Sequence, residues 1–337
     1  MARSARGSTR RDGWYDAVGR RVFFAMDPER SHRVALAMLA LPLPWRRIGG
    51  AVDDPSLVTT LAGVRLRNPV GLAAGFDKGC TRLDSLGALG FGFVVGGTVT
   101  RAPRRGNPAP RIARDPARRA IVNAMGLPNP GADAVARSLA RRARTAPRFV
   151  SIADEAVDDA TATLEILEPL VDGFEINGSS PNAGWEHAGD HVAALVGALR
   201  PRTRRPLLVK VPPFTNASER TRTIAIVEAS MDAGASGLVC GNTLPVEDPR
   251  MSTGRGGLSG GPLTALTPRI VGDVRAVVGE EPAVVACGGI FDADDVRRNL
   301  EAGATAVQAY TALIYEGPGL PGRITGRLAA GVAIPRP

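Results

Sequence analysis

Residues 206–241 read PLLVKVPPFTNASERTRTIAIVEASMDAGASGLVCG. An apolar run (206–211), a helical pattern (218–232) and a second apolar run (236–241) follow one another with short connections. Neither run alternates strictly between apolar and polar, as a strand with one wet face does. Continuous runs suit parallel strands covered on both faces. The texture repeats along the chain. Candidate strands are 69–74, 91–98, 148–153, 171–177, 206–211, 236–241, 282–287 and 304–310, and helical patterns occupy 132–144, 188–200, 218–232, 267–279 and 293–302. Eight β-α units in about 260 residues favour an α/β fold closed as a TIM-type (β/α)8 barrel, over residues 51–330, with an open doubly wound sheet as the alternative.

Two stretches precede the barrel. Residues 1–12, rich in Arg, Ser and Gly, read as disordered and lack the apolar core of a secretory signal; an Arg-rich, acid-poor start also resembles a transit peptide. Residues 13–50 read as a small N-terminal helical extension. Residues 13–26 place Trp14, Val18, Val22 and Phe23 at helical spacing, and 28–41 follow Asp27 as N-cap and Pro28 at the first helical position, then carry Val34, Leu36, Met38 and Leu39. Arg20, Arg21, Arg30, Arg33, Arg46 and Arg47 flank these apolar faces. The pattern fits either an appendage packed on the main domain or a membrane-surface patch with arginines meeting anionic head groups.

Composition narrows the function classes. The chain has 337 residues, 44% hydrophobic and 22% charged, an ordinary globular balance. The longest apolar run, Val34 to Leu41, ends at Pro42 and falls short of the roughly 18 residues that span a bilayer. Cys80, Cys240 and Cys287 are scattered, which excludes a disulfide framework and a CxxC zinc site. The net charge of +9 is carried by 40 Arg against 2 Lys, and there is a single Gln, Gln308. Where arginine serves for surface charge, the surviving Lys78 and Lys210 stand out. With 4% aromatics and no basic-aromatic interleaving, nucleic acid is a poor partner; an anionic small molecule or an anionic membrane suits the charge better.

In such a barrel, function sits on the loops after the strands. Polar residues cluster there: Asp77, Lys78, Thr98, Ser151, Asn177, Ser179, Ser180, Asn182, Lys210, Asn242, Thr243, Tyr310 and Thr311. Gly288-Gly289, beside Tyr310-Thr311, marks the usual place of a phosphate, although a plain glycine turn reads the same way. Competing motifs fail. Residues 257–261 (GLSGG) match GxSxG, but no His follows His191 to complete a triad. His187 and His191 lack the HExxH glutamate, so no metal is expected.

The motifs GLAAGFDK (71–78), GFGFVVGGTVT (90–100), GNPAPR (106–111), VNAMG (122–126), INGSSPN (176–182), LLVKVPP (207–213), GRGGLSGGPL (254–263), ACGGI (286–290) and GATAVQAYTALIYEGP (303–318) resemble, in order, the class 2, quinone-linked dihydroorotate dehydrogenases, and MDPERSH (26–32) resembles their helical extension. The resemblance implies FMN-dependent oxidation of dihydroorotate to orotate in pyrimidine biosynthesis, with electrons passed to a membrane quinone. It implies a monomer held peripherally at the cytoplasmic face of an anionic cell membrane. It casts Ser180 as the base. It casts Lys78, Asn123, Ala124, Met125, Gly126, Leu127, Asn177, Asn182, Asn242 and Thr243 as the substrate site. FMN would be held by Ala74, Gly75, Phe76, Asp77, Lys78, Thr98, Ser151, Asn177, Lys210, Gly241, Gly260, Gly289, Tyr310 and Thr311, with Lys210 stabilising the reduced flavin. His32, Arg33 and Arg114 would lie near the quinone.

Four departures stand against the family pattern. Ser151 replaces a flavin-contacting Asn, with Asp154 in place of a basic residue; Ala183 to Glu186 replace the lid sequence; Gly241 replaces a Thr; and Leu127-Pro128 replace Phe-Asn. A diverged FMN barrel acting on another dihydro substrate, or a non-catalytic barrel, are the alternatives these departures raise.

Overall fold

The computed structural model describes residues 15–154, 156–177 and 188–331. The side chains of Asp16 and Ala188, at the starts of helices, are not described. The expectations for residues 1–12, Trp14, Ser180, Asn182, the lid at Ala183 to Glu186 and His187 lie outside the described residues.

Fourteen strands occur among the described residues: β1 Thr59–Leu61, β2 Val64–Leu66, β3 Val70–Leu72, β4 Phe93–Val99, β5 Ile112–Asp115, β6 Ala120–Asn123, β7 Arg148–Ile152, β8 Gly173–Asn177, β9 Leu207–Val211, β10 Gly237–Cys240, β11 Leu244–Glu247, β12 Arg255–Gly260, β13 Ala283–Cys287 and β14 Ala306–Ala309. Eight of them, in the order β10-β13-β14-β3-β4-β7-β8-β9, form a closed parallel barrel. These are the eight predicted runs, each within three residues of its expected bounds, and the closed barrel replaces the open-sheet alternative.

The alternation along each barrel strand sorts its side chains. Phe174, Ile176, Leu207 and Val209 face the surrounding helices. Phe93, Phe149, Leu208, Val239, Ala283, Val285 and Ala306 face the lumen and fill its lower part, closed below by Leu61 and Leu66 of the β1–β2 hairpin. The Phe93 and Phe149 rings meet edge to face, 5.8 Å apart. They fit because β3 and β8 carry glycine opposite them: a Cβ at Gly71 would overlap the Phe93 ring, and one at Gly173 the Phe149 ring. One step further along the same strands the lumen turns polar, with Ser151, Glu175, Lys210 and Gln308 all buried.

Two additions to the barrel were not expected. The β1–β2 hairpin is one. The other is a four-stranded antiparallel sheet, β11-β12-β6-β5, above the strand C-termini. The GLSGG stretch belongs to β12 of that sheet rather than to a strand-to-helix elbow, and the Ser259 hydroxyl donates to the Ile121 carbonyl. Helices at Val157–Leu167, Thr311–Glu316 and Leu320–Ala329 also escaped the periodicity reading.

The extension begins with a π-helical turn at Tyr15–Gly19 and a short helix at Arg20–Ala25. The helix Pro28–Leu39 starts as predicted: the Asp27 carboxylate accepts from the Glu29 and Arg30 N–H groups, with Pro28 at the first position. Side chains from the barrel and from β5 hold the extension in place. Ser85 Oγ donates to the Leu39 carbonyl at 2.7 Å, Arg82 Nε to that of Leu36 at 3.1 Å, and Arg114 Nη1 to that of Met26 at 3.0 Å.

Gly173→Ala forces the Phe149 ring from its place in the floor. The expected loss is about 1–3 kcal/mol, read by urea denaturation, and a second change, Phe149→Leu, recovers part of it.

Candidate active site

The loops that follow the barrel strands converge on one cavity of about 2580 Å³. The four-stranded sheet supplies a second wall through Asn123 on β6 and Gly256 and Gly257 on β12. The cavity continues out between the extension helices, past His32, Arg33, Leu36, Met38, Leu43 and Trp45. The barrel mouth and the extension thus share one continuous space, polar at its floor and apolar with arginines at its outer end.

Nearly all the described residues singled out from sequence line this space. They are Ala74, Gly75, Phe76, Asp77, Lys78, Thr98, Asn123 through Leu127, Asn177, Lys210, Asn242, Thr243, Gly260, Gly289, Tyr310 and Thr311, together with His32, Arg33 and Arg114. Two stand apart. Ser151 is fully buried behind the wall and meets it only through Thr98, the two hydroxyl oxygens being 3.1 Å apart. Gly241 lies off the cavity at φ 106°, where a Cβ would run into the Cys287 carbonyl oxygen. This backbone demands glycine, a physical reason for the loss of the family's Thr. Asp154 also has a local use: it accepts from the Arg101 N–H at 2.9 Å and from the Thr163 hydroxyl at 2.8 Å.

Charge is arranged with care at the floor. Lys210 Nζ donates to Glu175 at 3.3 Å and to Gln308 at 3.5 Å, and Gln308 Nε2 donates to the other Glu175 oxygen at 3.0 Å. Burial disfavours the Lys210 ammonium, but Cys287 and Glu175 beside it hold its pKa above the ordinary lysine value. Lys78 is treated differently. Its Nζ donates to the neutral Gly75 carbonyl at 2.6 Å, and burial, with Arg111 nearby against the opposing pull of Glu29 and Asp77, brings it down to about 8. Burial, then Lys78, pushes the His32 imidazole down to about 4. Its ring packs edge-on against Phe76.

Sequence reading missed Glu175, Gln308, Glu29 and Arg111. Arg111 bonds Glu29 at 2.9 Å and the carbonyls of Arg105 and Asn107, while the Asn107 amide side chain donates to Ala124. An ion pair from the extension therefore braces the loop that carries Ala124 to Leu127. The acid set between Phe174 and Ile176 in the run VDGFEIN was the available signal for Glu175, and the single glutamine for Gln308.

A sequence model described as dihydroorotate dehydrogenase matches residues 56–331. The chain belongs to the dihydroorotate dehydrogenase family. Proteins named dihydroorotate dehydrogenase (quinone) from Deinococcus deserti and Leifsonia xyli are each 38% identical to it, over 92% of this chain and 93% and 96% of theirs. The crystal structure of DHODH from Eimeria tenella in complex with ferulenol is 30% identical and superposes with a TM-score of 0.79 over 90% of both chains. These matches bear out the resemblance seen in the motifs, and with it the barrel. Among the described residues no group of His, Cys, Asp and Glu could hold a metal ion, and no helix is long and apolar enough to cross a membrane.

The His32 shift has a signed consequence. The unfolded chain binds the histidine proton near 6.5 and the folded chain near 4, so between these values the unfolded state holds more protons. This contribution to stability is complete above about pH 6.5 and is lost as pH falls toward 4. Denaturation midpoints measured from pH 7 to 4 are expected to fall less steeply in His32→Leu than in the wild type.

Proposed function

We propose that this chain oxidises (S)-dihydroorotate to orotate at a bound FMN and passes the electrons to a membrane quinone, as a step of pyrimidine nucleotide synthesis. The observation that carries this reading is the single cavity joining the barrel mouth to the extension: one space serves an anionic ring at one end and an apolar acceptor at the other. The proteins it resembles are named for the same pair of substrates.

The residues present suit FMN. Among the described residues no acceptor takes the N–H groups of Gly288 and Gly289, both of which line the cavity. A Cβ at Gly260 would overlap the Arg119 carbonyl and crowd the Thr311 methyl, so a glycine keeps this wall open. Such unclaimed N–H groups beside open backbone are what a phosphate binds. FMN, when bound, supplies the two-electron chemistry that links substrate to quinone. Lys210 sets a fixed positive charge at the floor. Thr98 offers a hydroxyl, itself held by Ser151. Asn123, Asn177 and Asn242, each with one acceptor and two donors, suit ring amides and a carboxylate. Asn123 is already oriented, its Nδ2 donating to the Gly257 carbonyl at 3.4 Å, and Asn242 Oδ1 accepts from the Thr243 N–H at 2.9 Å. Lys78 adds a positive charge at the same rim. Ser180 as the base and Asn182 as a substrate ligand complete the reading.

The outer end suits a peripheral seat on the cytoplasmic face of an anionic membrane. Val18, Val22, Leu41 and Leu43 are exposed, with Arg21, Arg33, Arg46 and Arg47 exposed around them. Arg114, whose guanidinium lies 4.7 Å from the Phe24 ring centre, stands where the cavity turns into the extension, close to where a quinone head would arrive. The departures at 151 and 241 lie off the cavity wall, which weighs against a changed substrate. A buried lysine–glutamate–glutamine network is costly to keep in a barrel with no ligand to serve, which weighs against a non-catalytic role.

The test is anaerobic. Purified protein is expected to be yellow and to bleach on addition of dihydroorotate; a yellow protein that stays yellow moves the assignment to another dihydro substrate, and a colourless one that takes up no FMN ends it. Separately, binding to anionic vesicles is expected to weaken about tenfold for each of Val22→Asp and Leu43→Asp, the scale of burying one apolar side chain, with flavin reduction unchanged.

A further inference from the structure

Glu175 lies on β8 two residues before Asn177, which pairs directly with Lys210 on β9. Both side chains therefore project into the lumen, one diagonal apart, just above the aromatic floor. Glu175 is 1% and Lys210 6% exposed. A lysine ammonium in such a place stays charged only if something replaces its water. Among the described residues its Nζ meets Glu175 at 3.3 Å, the Gln308 amide oxygen at 3.5 Å and the Cys287 side chain. Cys287 faces it from β13; burial raises the thiol pKa and Lys210 lowers it, and its pull on the ammonium adds to that of Glu175. Among the described residues Glu175 is the one carboxylate against Lys210, and Gln308 fixes that carboxylate by donating to its far oxygen at 3.0 Å.

We infer that Glu175 is a positioning residue: it keeps the Lys210 ammonium charged and aimed into the cavity, with Gln308 bracing the pair. For the enzyme this fixes a positive charge at the floor before any electron arrives. If Lys210 is already charged, reducing the flavin takes up two electrons and one proton. If Lys210 is neutral beforehand, the same reduction takes up two electrons and two protons, the second going to Lys210 Nζ beside the new negative charge. Glu175 thus removes one proton from the redox step. This consequence rests on the flavin reading above; the charge state of Lys210 does not.

The chain's two lysines make the test direct. Protein labelled at the lysine side chain gives two ammonium signals, assigned with Lys210→Met. In wild-type protein the Lys210 signal is expected to stay in the charged form up to pH 10. In Glu175→Gln it is expected to titrate between pH 6 and 9, and Glu175→Asp is expected to restore most of the charged form. A Lys210 that stays charged to pH 10 in Glu175→Gln overturns the inference. In the holoenzyme, the potential of Glu175→Gln is expected to change twice as steeply with pH within the window where Lys210 titrates. One proton per pH unit is a tenfold change, about 30 mV for a two-electron couple, and two protons make about 60 mV. An unchanged slope there counts against it. If Glu175→Gln does not fold, the double variant Glu175→Gln/Lys210→Met decides: it is expected to be more stable than either single variant, each of which leaves half of a buried pair alone. A double variant no more stable than both singles overturns the inference. A protein that binds no flavin would end the proposed function while leaving the lysine titration able to decide on Glu175.

Discussion

The Phe93 and Phe149 rings, packed edge to face at 5.8 Å, plug the lower lumen of the barrel. Eight parallel strands closed into a ring leave a space that must be filled, and here large rings fill it only because Gly71 and Gly173 leave room for them. Everything above depends on that plug. It shuts water out from below, so the polar layer of Ser151, Glu175, Lys210 and Gln308 sits in a poorly solvated place open on one side only. In such a place charges must pair and hydroxyls must find partners, which is what the layer does. The floor thus turns ordinary polar side chains into a fixed electrostatic field.

The extension is held by a different kind of force. Several of the chain's ion pairs are exposed at both partners, such as Arg202–Glu165 and Arg220–Asp273, and pairs of that kind add little. Besides the half-buried Arg111–Glu29 pair, the bonds that seat the extension run from side chains beneath it to its backbone carbonyls: Ser85 to Leu39, Arg82 to Leu36 and Arg114 to Met26. The Tyr15 hydroxyl reaches back to the Ile314 carbonyl at 2.7 Å. Backbone carbonyls are present whatever the side chains are. The outward faces of these helices are therefore free to carry exposed apolar residues and arginines without loosening the seat.

The barrel was legible because its strands are buried on both faces, so that runs such as PAVVAC and PLLVKV stand out against their surroundings. The small β1–β2 hairpin and the four-stranded sheet were not legible, because strands of three to six residues, such as TTL, VRL and the glycine-rich RGGLSG, are too short to show a periodicity. The site was legible where it depends on residues at strand ends. It was hidden where it depends on strand interiors: Glu175 looked like an interruption in an apolar run, whereas the alternation of a closed barrel turns that position inward. Ser151 and Gly241 failed in the opposite way. Their places in the motif pointed to the cavity, but a serine at 151 ends at Thr98, and the close approach of Cys287 leaves 241 no room for a side chain.

The two lysines show why residue type alone does not define a role. They line the same cavity, and burial works against the charge of both. Lys78 rests on a neutral carbonyl with Arg111 nearby, and its pKa falls to about 8; Lys210 faces a carboxylate, and its pKa rises. The first can give up its proton near physiological pH and the second cannot. Arginine, which this chain uses almost everywhere else for positive charge, could do neither job. It does not lose its proton in the accessible range, and its planar fork presents its donors differently from the compact ammonium that meets Glu175 and Gln308 here. A chain that has otherwise exchanged lysine for arginine has kept lysine at the two positions where a small, tunable cation has no substitute.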